Sequence, residues 1–197
     1  MQGPPPPSLT GFPQRNHRGT LWRAAQKSPW WYCSCLACRF DLPSPRGACY
    51  LGTDELVGVL ESIGAEISNG VIAQEFLDRR RLFQWTPPGP LRAADLVSRR
   101  AVGFNVTNEL STMTPYTVPQ TWAGAFDGAG FAAVSYRTRF DTGATSRGVA
   151  HFGPAGTAGR KVGPGKPIDD ALRQRLEREC GVVVAPPPSL SALTVVP

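Results

Sequence analysis

The chain has 197 residues, of which 41% are hydrophobic, with five Trp and nine Phe, enough for one domain with its own core. Its 21 Gly and 20 Pro approach the share at which low-complexity stretches appear, while no run nears the roughly 18 apolar residues of a membrane span. The net charge of +6 rests on 18 arginines against Lys27, Lys161 and Lys166; a guanidinium is a planar fork suited to phosphate, so the charge points to nucleic acid, to a phosphate-bearing small ligand, or to compositional bias alone.

In chain order, residues 1–16 carry four consecutive prolines and few apolar side chains, and read as a disordered, polyproline-like tail. With no apolar stretch behind those prolines the segment is not a secretory leader, and the expected location is cytoplasmic. Order is expected from near Arg18, with short strands at 20–23 and 47–51. Thr53 is placed to cap a helix in which Leu56, Val59, Leu60 and Ile63 recur at i, i+3, i+4 and i+7. Residues 73–80 read as a helix, 81–85 as a strand stopped by Pro87 and Pro88, and 91–97 as another strand. A helix at 117–126 puts Trp122 and Phe126 on one face, and strands follow at 131–136 and 148–152. Residues 153–167 look like a linker. The segment 168–180 is an amphipathic helix, with Asp169 and Asp170 in its first turn and Gly181 placed to stop it; prolines at 186–188 close the ordered part. The organisation is a tail at 1–16, a core domain at 17–153, and a linker, helix and tail at 154–197. Strands and helices mix without βαβ regularity, so the expected class is α+β with mixed, mostly antiparallel sheets and flanking helices.

Cys33, Cys35, Cys38 and Cys49 admit two readings, a zinc site or reduced, partly buried thiols; C-x-C is a poorer tetrahedral chelate than C-x-x-C. His17 and His151 have no Cys, Asp or Glu at ligand spacing, and the run Arg79–81 reads as a solvated helix end. Neither a P-loop nor a GxGxxG is present. Glu61 points about 140° away from the apolar stripe of its helix at 100° per residue, so it is either exposed or lines a cleft. Arg39, Tyr50 and Glu61 follow one another at eleven-residue intervals on a loop, a strand and a helix, with Arg23 before them and Tyr136-Arg137-Thr138-Arg139 well after. Together they form a coherent set for one ligand, with arginines for a pyrophosphate, a tyrosine to stack on an aromatic base, and a carboxylate for ribose hydroxyls and developing positive charge.

The run Leu21-Trp22-Arg23, then Arg39-Phe40-Asp41-Leu42-Pro43 through Arg46-Gly47-Ala48-Cys49-Tyr50-Leu51, then Leu60-Glu61, resembles the RES family, best known as toxins of bacterial toxin–antitoxin pairs. Tyr116-Thr117-Val118-Pro119-Gln120-Thr121-Trp122-Ala123 and Ala133-Val134-Ser135-Tyr136-Arg137-Thr138-Arg139-Phe140-Asp141 are similar to later motifs of that family. The resemblance covers about residues 18–153. It implies an ADP-ribosyltransferase-like fold and an enzyme that cleaves the nicotinamide–ribose bond of NAD, passing ADP-ribose to water, phosphate or a protein. NAD is then the substrate, and no metal is expected. Carried over, Glu61 is the catalytic carboxylate, Arg23 and Arg39 hold the NAD phosphates with Arg39 also serving the reaction, and Tyr50 packs by the nicotinamide ribose. The family serine falls at Thr138; Ser135, three residues earlier, faces the other side of a strand, so only one hydroxyl serves the pocket. Ala24 stands where the family often has tyrosine, and Cys33, Cys35 and Cys38 are not thiols there as a rule. The partner implied is an antitoxin that blocks the cleft; a homodimer is admissible, and neither membrane nor direct nucleic-acid binding is expected. The rival reading is an Arg-rich nucleic-acid-binding module without catalysis.

Overall fold

The computed structural model describes residues 1–67, 69–140, 145–159 and 163–187. Its strands, in chain order, are β1 (Gln14–His17), β2 (Leu21–Ala25), β3 (Trp31–Tyr32), β4 (Arg46–Gly52), β5 (Val71–Ala73), β6 (Arg81–Trp85), β7 (Leu91–Asp95), β8 (Ala133–Tyr136), β9 (Gly148–Pro154), β10 (Gly156–Thr157), β11 (Lys166–Pro167) and β12 (Val183–Ala185). The helices are α1 (Glu55–Ile63), α2 (Gln74–Asp78), α3 (Thr117–Gly128) and α4 (Asp170–Cys180). Eight strands form one sheet in the order β1-β7-β8-β9-β4-β2-β6-β11. Within this sheet only β7 and β8 pair in parallel, the other neighbours being antiparallel; β5 and β12 form a separate parallel pair. The protein is therefore α+β with a mixed, mostly antiparallel sheet. No described helix is long and apolar enough to cross a membrane.

Burial on both faces explains why the central strands read as apolar runs. In β4, Ala48 and Tyr50 join a cluster with Phe40, Trp122 and Phe126, whereas Cys49 and Leu51 join Leu21, Phe83 and Val149 on the other side. That is the period-two alternation of a strand. The helix α3 covers the first face through Trp122 and Phe126, both fully buried. A third cluster joins Leu56, Leu60 and Ile63 of α1 to Leu172 and Leu176 of α4. At α4 the sequence signals hold: Asp169 caps the N-terminus, accepting from Leu172 N, and Gly181 ends the helix at φ +67°.

Four expectations need correction. Residues 1–16 are packed, not a free tail. Phe12 stacks at 4.9 Å from both Phe104 and Phe126, Gln2 Oε1 accepts from Thr107 N at 2.8 Å, and β1 pairs with β7. Proline stiffness dominated the composition there and hid a large buried aromatic. The cap of α1 is Asp54, which accepts from Val57 N at 3.0 Å, while Thr53 Oγ1 accepts from Arg147 N. Adjacent capping residues are ambiguous until the chain direction into the helix is fixed. In the stretch 153–167, β10 and β11 add to sheets; Lys161 lies outside the described residues, as does Pro188. Finally, Cys33 and Cys35 are joined in a disulfide, their Cα atoms 5.6 Å apart, within the reach of such a bond.

Two glycines seat α1 on the sheet. A Cβ at Gly58 would lie 2.8 Å from the carbonyl carbon and oxygen of Trp22, and one at Gly52 would lie 2.3 Å from Gly58 N. The helix thus rests directly on strand backbone, and this fixes where Glu61 emerges. Gly58→Ala should push α1 off β2 and cost about 1–3 kcal/mol by overpacking, read as a lower denaturation midpoint with an unchanged slope.

Candidate active site

A cavity of about 700 Å3 opens beside α1, β2 and the loop before β4, a volume typical of small-molecule sites. Arg23, Arg39, Tyr50 and Glu61, which the sequence scatters over 39 positions, all line it. Tyr116, Tyr136 and Arg139 join them, as do Lys27 and Arg80. Among the described lining residues that makes five cations against the single carboxylate Glu61, a wall suited to an anionic ligand that carries one positive centre.

Arg39 is the most telling of these groups. It is 9% exposed, and its Nε and Nη2 have no hydrogen-bond partner among the described residues. The Tyr116 ring lies beside it, 5.3 Å from Cζ to the centroid, and the Arg39 charge also acts on Glu61. A buried guanidinium without an acceptor costs free energy, so an oxyanion in the cavity would relieve a standing deficit. The loop holding Arg39 is itself fixed. Gln120 Nε2 of α3 donates to Leu36 O at 2.8 Å and Cys38 O at 3.0 Å. Asp41, fully buried, accepts from Cys38 N at 3.0 Å and from the Tyr50 hydroxyl at 3.0 Å. That hydroxyl also accepts from Phe40 N at 2.8 Å. Tyr50 therefore presents its ring to the cavity while its oxygen braces the neighbouring loop. Burial pushes both Asp41 and Tyr50 above their ordinary pKa values, Tyr50 far above.

Arg23 differs from Arg39. Its Nη1 donates to Cys49 Sγ at 2.8 Å and more weakly to Trp31 O at 3.4 Å, so part of its fork is already engaged.

Glu61 is half-buried in the wall, and its Oε2 accepts from the Tyr136 hydroxyl at 2.6 Å. Burial raises its pKa, opposed by hydrogen bonds from Thr138 and Tyr136 and by the charges of Arg39 and Arg139. The helix face opposite the apolar stripe thus lines a cleft rather than facing bulk solvent. Thr138 is 3% exposed, does not line the cavity, and also accepts from Phe140 N at 3.2 Å. It stands beside Glu61, to which its hydroxyl is hydrogen-bonded. Ser135 is fully buried, and its Oγ has no described partner. Of the two hydroxyls it is Thr138 that meets the carboxylate.

Cys38 lines the cavity too. Although the residue is exposed overall, desolvation of its thiol, with Asp41 adding to it, pushes it up to about 11, so it is no thiolate nucleophile at neutral pH. Cys33, Cys35 and Asp41 gather their ligand atoms within 4.8 Å of one another. While the disulfide holds, the two sulfurs are not thiolate ligands. His151 bonds the Tyr32 hydroxyl at 2.6 Å, and neither it nor His17 lines the cavity. The sequence reading carried Tyr136 and Arg139 within the segment Tyr136-Arg137-Thr138-Arg139 but gave neither a role, and it gave none to Tyr116.

No family model matches the sequence, and no curated protein matches it significantly. Among solved structures the fold is similar to a chain in the crystal structure of the Mycobacterium tuberculosis MbcT–MbcA toxin–antitoxin complex. The match has a TM-score of 0.57 at 15% identity and covers 73% of this chain and 79% of that one. At that identity the likeness is one of fold, and it agrees with the fold that the RES resemblance implies.

Proposed function

We propose that this protein cleaves the nicotinamide–ribose bond of NAD, and that it is the toxin of a toxin–antitoxin pair acting in the cytoplasm. The observation that carries the reading is Arg39, a buried guanidinium with two donor atoms that find no partner among the described residues, in the same cavity as the hydrogen-bonded carboxylate of Glu61. In this reading Arg39, assisted by Arg23, takes the pyrophosphate, the Tyr50 ring packs by the nicotinamide ribose, and Glu61 faces the ribose.

Loss of nicotinamide passes through an oxocarbenium-like state, as glycoside hydrolysis does. Nicotinamide departs neutral from a cationic ring, so no strong general acid is required. A carboxylate at the ribose stabilises the charge that develops there, and in a water-poor cleft such an interaction is worth several kcal/mol. A water or phosphate oxygen then bonds to the anomeric carbon as the C–N bond breaks, and gives up its proton to solvent. Transfer to a protein side chain is the variant of the same step. The fold match to a chain of a toxin–antitoxin complex supports a protein partner that neutralises the activity.

Product analysis tests both the bond and the acceptor. NAD incubated with the protein should yield free nicotinamide together with ADP-ribose, or with its 1″-phosphate when inorganic phosphate is present. Binding of nucleic acid that weakens steeply with salt, without any nicotinamide, would favour the binding-module alternative.

A further inference from the structure

Tyr136 is the last residue of β8 and is 1% exposed. A phenol so far from water needs a partner. Its hydroxyl donates to Glu61 Oε2 at 2.6 Å, and no other hydrogen bond of that hydroxyl is seen among the described residues. The ring is held on two sides. Phe40 packs against it with centroids 5.0 Å apart. Across the ladder stands Gly148, where a Cβ would lie 2.4 Å from the ring. The strand, that glycine and Phe40 therefore aim the phenol at the carboxylate.

We propose that Tyr136 is a positioning residue for Glu61, its phenol fixing the orientation in which the carboxylate faces the cavity. The proposal rests on the reading of the site given under Proposed function. The bland alternative is that the phenol only finds a partner for its own burial, with no consequence for what Glu61 does. The two differ in what happens to Glu61 when the donor is changed but the ring is kept. A hydrogen bond to a carboxylate favours its ionised form, and at Glu61 Tyr136 acts in that sense against the opposing effect of burial. The other groups around the carboxylate are Arg39 and Arg139, which also favour ionisation, the Thr138 hydroxyl, and the Cys38 thiol, with Tyr50 beyond Tyr136.

Tyr136→Phe conserves volume and removes only the donor. We expect kcat/KM for nicotinamide release to fall at least about tenfold, mostly in kcat, because a misaimed group loses transition-state contact more than binding. Its acidic limb should move to higher pH, since Glu61 loses a donor to its charged form. Placing 3-fluorotyrosine at position 136 keeps the ring and makes the phenol a better donor, so the limb should move to lower pH. The 13C signal of the Glu61 carboxyl, assigned by its loss in Glu61→Gln, should titrate in the same two directions without any substrate present. Unchanged kcat in Tyr136→Phe would overturn the proposal in favour of the bland alternative, and unchanged carboxyl titration in both variants would overturn it as well. A wild-type protein that releases no nicotinamide would instead overturn the substrate reading, and the carboxyl titration would still decide the role of Tyr136.

Discussion

Glu61→Gln is expected to abolish nicotinamide release, lowering kcat/KM by about 10³-fold or more, while the protein stays folded. The amide has nearly the shape of the carboxylate and can still accept from the Tyr136 hydroxyl, but it carries no charge to set against an oxocarbenium ion. The same variant carries a stability prediction of definite sign. Burial raises the native pKa of Glu61 above its ordinary value, so the folded state binds the proton more tightly than the unfolded chain. Stability then falls as pH rises from the ordinary glutamate range through the raised value, and above it the ionised Glu61 is a net cost to folding. Glu61→Gln should therefore melt no lower than wild type at neutral pH, and higher if the cost is large. At acid pH, where both forms are neutral, the difference should close. Thermal melts across pH read this directly. A site held at some cost to stability is the usual trade of a functional group.

Arg39→Lys is the second large effect. The charge is kept, but the planar fork that can grip two phosphate oxygens is lost. The expected fall in kcat/KM is roughly 10- to 100-fold, on the scale of about 1.5–3 kcal/mol for hydrogen bonds to charged groups. Binding can be read apart from turnover. Because Arg39 Nε and Nη2 are buried and find no acceptor among the described residues, inorganic pyrophosphate should raise the melting temperature of the wild-type protein. A ligand at a hundred times its Kd adds about 2.7 kcal/mol. The shift should shrink in Arg39→Lys, and should survive in Glu61→Gln, whose substitution lies at the other chemical end of the site.

The parts of the fold visible in the sequence were those set by local rules. The strand at 81–85 coincides with β6, since Leu82 and Phe83 are apolar and Pro87 forbids continuation. The last helix ended where Asp169 and Gly181 said it would. What local rules could not supply was long-range. The parallel contact of β7 with β8 joins residues about forty positions apart, and no hairpin turn announces it. The burial of Phe12 depends on a nest of rings from residues 104 to 131, which a proline-rich context does not reveal. The disulfide joins Cys33 and Cys35, a pairing that C-x-C spacing alone does not announce.

At the site, the legible element was spacing. Arg39, Tyr50 and Glu61 do share one cavity with Arg23. The division of labour among them was not legible. That the Tyr50 hydroxyl is committed to Asp41 and Phe40, that Arg23 is partly engaged by Cys49, and that Tyr136 rather than a distant group holds Glu61 all depend on side-chain geometry across the sheet. The same holds for Thr138, which stands behind the carboxylate and leaves Ser135 in the core.

The most direct measurement is a side-by-side assay of free nicotinamide from NAD with the purified wild-type protein and with Glu61→Gln at matched concentration, both confirmed folded by their melts. NAD cleavage assisted by Glu61 predicts steady release by the wild type and none above background by the variant. Equal release by the two proteins, or none by the folded wild type in the presence and absence of phosphate, would contradict it.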